Sequence, residues 1–184
     1  MHDPIHNHPA LSLLNDLLDA PAPSGREQRL AAVVRQKLDD LGITHTTDPA
    51  GQVIVRLAGR DRDAGKLMLA AHMDEIGMVV TRIDDDGSLR VDRSGGLYPY
   101  KLGECPVDIV GDGEQLVTGV LSMGSTHTAD AAQRSVTWGD VRIITGLSAA
   151  RLEALGVRPG STAVPQRAAR GPIVFGDEAD PLVA

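Results

Sequence analysis

The side chains best able to do chemistry lie in one short string. Residues 67–77 read Leu-Met-Leu-Ala-Ala-His-Met-Asp-Glu-Ile-Gly, an apolar run that ends with His72 and Asp74 two positions apart. In an extended chain alternate residues share a face, so both side chains project from one side of the strand's carboxyl end. Open α/β sheets bind their ligands along that edge. A neutral imidazole is a good ligand for zinc, cobalt or manganese. A carboxylate two residues on can hold its second ring nitrogen, fixing the tautomer and raising the basicity of the ligand. A bare His-x-Asp also fits a core histidine bonded to a backbone carbonyl beside a turn aspartate, since a metal needs three or four ligands. Glu75 follows the pair and could face the same cleft.

Few other residues compete for a chemical role. Cys105 is the only cysteine, which excludes an intrachain disulfide and the zinc patterns built from paired cysteines. His2, His6 and His8 cluster in the polar start of the chain and read as a solvated tail. A formal net charge of -7 leaves no broad basic field for a phosphate backbone, so nucleic acid is excluded as a partner. Neither an export signal nor a membrane-spanning stretch is visible, and a soluble, cytoplasmic protein is expected.

The elements that must position His72 follow from periodicity. Apolar residues recur at helical spacing over 11–18 and 27–41, with Ser24 as a candidate N-cap in a capping box with Glu27 and Gly42 as the residue that ends the second helix. Strands are expected over 43–47 and 52–57 around the turn Asp48-Pro-Ala-Gly. Residues 66–71 are almost continuously apolar, the pattern of a strand covered on both faces. Beyond Gly77 the pattern changes to short strands over 78–83, 89–91, 107–110 and 116–122, separated by Asp/Gly turns, which suggests a small barrel or sandwich. Ser148 is placed to cap a helix over 149–155 that stops at Gly156, and a last strand is expected over 173–175. At 42% hydrophobic and 2% aromatic residues, the core must be aliphatic.

The string from Lys66 to Val91, KLMLAAHMDEIGMVVTRIDDDGSLRV, resembles the tetrahedral (TET) or glutamyl aminopeptidase family of di-metal exopeptidases. Three further segments are similar in order and spacing: LDAPAPSGR from Leu18, DPAGQVIV from Asp48, and ALGVRPGS from Ala154. The resemblance implies an α/β fold, the N-terminal part of a mixed-sheet di-metal peptidase domain interrupted by an inserted PDZ-like β-barrel that makes oligomer contacts. The expected organisation is a disordered tail over 1–10, the first part of the catalytic domain over 11–78, the inserted barrel over 79–165 and a truncated return segment over 166–184.

It further implies a site of two divalent metal ions (zinc, cobalt or manganese), His72 as a ligand to one, Asp74 as the carboxylate that orients it, short peptides as substrates and a homo-oligomeric state. The family's other ligands and its general base lie in strings further along, which are absent here. Aligning Gly176-Asp-Glu-Ala-Asp-Pro with the first of those strings makes Asp180 the candidate bridging ligand. His127 lies where family members carry a histidine-containing loop, and Tyr98 stands where they carry a tryptophan. Two functions follow as expectations: an aminopeptidase represented by its first half and inactive alone, or a non-catalytic assembly module.

Overall fold

The computed structural model describes residues 9–61, 63–125 and 135–166 in full, together with the backbone of 174–177 and 180–183. The chain divides into two compact units, residues 1–74 and 75–184.

In the first unit, helices α1 (Pro9–Leu18) and α2 (Gln28–Asp40) form where the apolar spacing places them. Helix α2 ends in a Schellman turn: Gly42 takes φ +67°, its N–H donates to Asp39 O at 2.9 Å, and Ile43 N–H donates to Leu38 O at 2.8 Å. A short hairpin follows, β1 (His45–Thr47) paired with β2 (Val53–Val55). Its turn is held by Asp48, whose carboxylate accepts from Ala50 N–H, Gln52 N–H and Gln52 Nε2, each at 2.9 Å.

Two expectations fail in this unit. The capping box does not form, because the N-cap of α2 is Glu27 and makes no side-chain cap bond, and Glu27 Oε1 instead accepts from Gly25 N–H at 2.6 Å. The covered strand over 66–71 is also absent. Those residues adopt no regular structure, and Leu67, Met68 and Leu69 are 86%, 84% and 88% exposed. A strand exists through its ladder, and no described strand pairs with this one, so its apolar side chains have no sheet to sit in and nothing to cover them.

The second unit is built around a closed antiparallel barrel. Its strands are β3 (Gly77–Ile83), β4 (Leu89–Ser94), β5 (Cys105–Val110), β6 (Leu116–Ser122), β7 (Arg142–Ile144) and β8 (Thr162–Pro165), in the order β3-β4-β7-β6-β5-β8. A one-turn helix α3 (Pro99–Leu102) precedes β5, and α4 (Ala149–Ala154) precedes β8. Alternation sends one set of side chains inward. Along β6, Val117 and Leu121 are buried and Leu116, Thr118 and Val120 face out.

Met78, Leu89, Val107, Ile109, Leu121, Ile143 and Ala163 fill the interior at 0% exposure, and Leu152 of α4 joins them. Fully burying each of the Met, Leu, Val and Ile side chains contributes about 1.5–3 kcal/mol, so the barrel's stability rests on this set. The seam closes where Met78 faces Ala163 and Val79 faces Thr162, with Val80 N–H donating to Ser161 O at 2.7 Å. Ser148 caps α4 by accepting from Arg151 N–H at 3.3 Å, as its sequence position suggests.

Of the two architectures the strand pattern allowed, the closed barrel is the one formed. Strands β7 and β8 were not anticipated: each is only three or four residues long, too short for alternation to show, and β8 ends on Pro165. Past the barrel, β9 (Val174–Asp177) pairs antiparallel with β10 (Asp180–Val183), of which only the first overlaps the expected strand.

Candidate metal-ligand site

Although the expected strand is missing, His72 and Asp74 still meet. His72 Nδ1 lies 3.0 Å from Asp74 Oδ1 and 2.8 Å from Asp74 O. Both of those atoms can only accept from an imidazole, so Nδ1 carries the proton and donates. The neutral ring is therefore the Nδ1–H tautomer, with the Nε2 lone pair free to bind a metal. The ring is 85% exposed and the Asp74 side chain 41% exposed, so Nε2 is open to solvent and to an incoming ion.

Asp74 has a second partner that the sequence pattern did not reveal: Ser24 Oγ donates to Asp74 Oδ2. Ser24 sits in a tight turn in which Arg26 N–H donates to Pro23 O at 2.8 Å, with Gly25 at φ +81°, the conformation a type II turn requires at its third position. Pro21, Ala22 and Pro23 are buried and anchor that turn. The Ser24 hydroxyl, and then the His72 ring, hold the Asp74 carboxyl below the usual carboxylate range. Asp74 is thus an anion at neutral pH with each oxygen engaged. The signal that could have found Ser24 was its place in a Pro-x-Pro-Ser-Gly turn; the fifty residues between the partners concealed the pairing.

The donor set at His72, among the described residues, offers one bond to a metal. Among the described residues no group of three His, Cys, Asp or Glu side chains converges on a common point. Asp180 opens β10 opposite Asp177, and its side chain lies outside the described residues. His2, His6, His8 and His127 also lie outside them. Glu75 falls in the second compact unit.

Solved structures similar to this chain include aminopeptidases. One from the archaeon Desulfurococcus kamchatkensis superposes with a TM-score of 0.75 at 31% identity, over 84% of this chain and 42% of its own. The TET1 peptidase of Pyrococcus horikoshii, described as assembling into a tetrahedron or a large octahedral shell, gives 0.65 at 28% identity over 84% and 46%. In sequence, the lysyl aminopeptidase of Pyrococcus furiosus is 32% identical over 153 residues, which is 81% of this chain and 43% of that protein.

The family model of the M42 glutamyl aminopeptidases matches residues 51–171, and the chain belongs to that family. It spans less than half the length of the relatives it matches.

Proposed function

We propose that this chain supplies the first part of a metal-dependent aminopeptidase site that removes N-terminal residues from short peptides. The observation that carries the proposal is the pair of contacts from His72 Nδ1 to Asp74 O and Oδ1, at 2.8 and 3.0 Å, which assign the proton to Nδ1 and leave Nε2 as the ligand atom. His72 would be one ligand of a divalent-ion site, and the ions, when bound, would supply Lewis acidity toward the scissile carbonyl and would lower the pKa of bound water. The work of the residues in hand is narrower: His72 offers one lone pair, and Asp74 keeps the ring's other nitrogen protonated and its plane fixed. Zinc, cobalt and manganese all suit such a donor. One imidazole cannot hold two ions and supply a base. Asp180 remains the candidate bridging ligand from this chain; the remaining ligands and the strands that would flank residues 66–71 are assigned to polypeptide corresponding to the rest of the relatives' length.

Alone, the 184-residue chain is proposed to bind at most one divalent ion per molecule, at His72, and to be inactive. The test is calorimetric titration with Co2+ alongside an assay on short peptides. One weak site and no turnover are expected from this chain, and metal-dependent release of N-terminal residues when it is combined with the remaining half of a relative. Turnover by this chain alone would overturn the proposed inactivity; absence of metal-dependent turnover in the combination would overturn the enzymatic reading.

A second reading rests on a separate observation. Val120 and Ile144 face one another across β6 and β7 on the outside of the barrel, 50% and 53% exposed. We propose that the barrel, as an inserted domain over 79–165, makes homo-oligomer contacts, consistent with the assemblies described for the Pyrococcus horikoshii relative. Light scattering of the wild type and of a V120K/I144K variant tests it, with a shift to monomer expected. A cytoplasmic location is part of the proposal. No described helix is long and apolar enough to cross a membrane.

A further inference from the structure

Asp74 carries out its task with one oxygen, and that raises the question of what selects it. An exposed aspartate has several rotamers within reach, and the one adopted places Oδ1 3.0 Å from His72 Nδ1. Ser24 settles the choice by donating its hydroxyl to the other oxygen, Oδ2. The anchor is itself rigid: the turn that carries Ser24 is closed by the Arg26 to Pro23 bond at 2.8 Å, stands on three buried residues and is braced by Glu27 Oε1 accepting from Gly25 N–H at 2.6 Å. Nor is the hydroxyl engaged as a cap, because the N-cap of α2 is Glu27, three residues later, with no side-chain cap bond.

We propose that Ser24 is a positioning residue for the metal-binding side chain, acting through Asp74 to hold His72 in the tautomer and orientation that present Nε2. The order Ser24, Asp74, His72 runs from a turn seated on buried Pro21, Ala22 and Pro23 to an exposed ring, so each member fixes the next. Removing the hydroxyl frees the carboxylate to rotate, and the ring is then held only by the Asp74 carbonyl. The inference rests on the proposed metal role of His72 for its consequence, but the relay itself is a property of the protein without metal.

The experiment uses the full chain with 15N-labelled histidine at a pH where the His72 ring is neutral. Wild type is expected to show a pyrrole-type Nδ1 and a pyridine-type Nε2 at His72. Ser24→Ala is expected to show shifts moved partway toward the tautomer average, because only the Asp74 carbonyl then selects Nδ1–H, and Ser24→Thr, which keeps the hydroxyl, to restore the wild-type pattern. Titration with Zn2+ followed at the same ring should show about tenfold weaker binding for Ser24→Ala, in line with the effect of residues that orient a ligand, and recovery for Ser24→Thr.

A cycle with Asp74→Asn guards against a merely local loss of structure: if Ser24 acts through Asp74, the double variant is no worse than Asp74→Asn alone. Unchanged tautomer and Zn2+ affinity in Ser24→Ala, or additive losses in the cycle, would overturn the proposal. If wild type fails to bind Zn2+ at His72, the metal reading falls, while the tautomer comparison still decides the role of Ser24.

Discussion

The barrel and the segment that carries His72 begin from similar material and end differently. Both are runs of aliphatic residues; in the barrel Met78, Leu89, Ile109 and Ile143 are fully buried, whereas Leu67, Met68 and Leu69 are more than four-fifths exposed. The difference is in partners. Each barrel strand has two antiparallel neighbours and the sheet has no free edge, so the strand ladders close on one another within the barrel. Residues 66–71 have an equally apolar sequence and no ladder among the described residues. Apolar pattern is therefore a statement about what a segment needs, and only the rest of the fold decides whether the need is met.

Stability should separate the two regions most sharply. Ile143→Ala, at a fully buried site, is expected to cost about 2–5 kcal/mol, while Leu69→Ala should stay within about 0.5 kcal/mol. Urea unfolding followed by Trp138 fluorescence measures both, since the sole tryptophan packs on the barrel core and its Nε1 donates to Leu97 O at 3.2 Å. A smaller loss, about 1–3 kcal/mol, is expected for Gly119→Ala, where a Cβ would lie 2.5 Å from Ile143 Cγ2 and force the core to shift. Replacing Leu67 and Leu69 together by lysine should lower binding of a hydrophobic dye and leave the Trp138 transition unchanged; the reverse outcome would place the exposed apolar surface on the barrel.

The smallest effect concerns acid. Partial burial pushes the Asp84 carboxyl up, but hydrogen bonds and charge from Arg82 and Arg90 outweigh it and hold it below the usual range; the Arg90 Nε contact is 2.8 Å. A folded pKa below the unfolded one means that the stabilisation is fully present above the ordinary carboxylate range and is lost as pH falls through the folded value. Asp84→Asn should therefore flatten the acid limb of barrel stability at pH values below the usual carboxylate range and remove a modest increment at neutral pH. An unchanged acid limb would show that the pair contributes nothing.

Much of this was legible in the sequence, for identifiable reasons. The helix stop at Gly42, the Asp48 turn, the Ser148 cap and four barrel strands all rest on local chemistry, which the chain carries wherever it sits. The pairing of His72 with Asp74 was visible because two-residue spacing survives even without a strand. Ser24 was read as a cap because its neighbours fit a capping box, whereas its real partner lies fifty residues away. Strands β7 and β8 escaped because three or four residues are too few to show a period, and each exists only through its place in a closed sheet. The expected strand over 66–71 erred the other way, since its pattern assumed a sheet around it.

The contrast between a satisfied barrel and an unpartnered ligand segment is tested most directly by native-state hydrogen exchange on the isolated chain. Amides of β3, β5 and β6 should be protected to the level of global unfolding, while those of residues 66–71 should exchange at close to the unprotected rate. Protection of 66–71 comparable to that of the barrel strands would contradict the account, because it would mean that this segment already has its sheet.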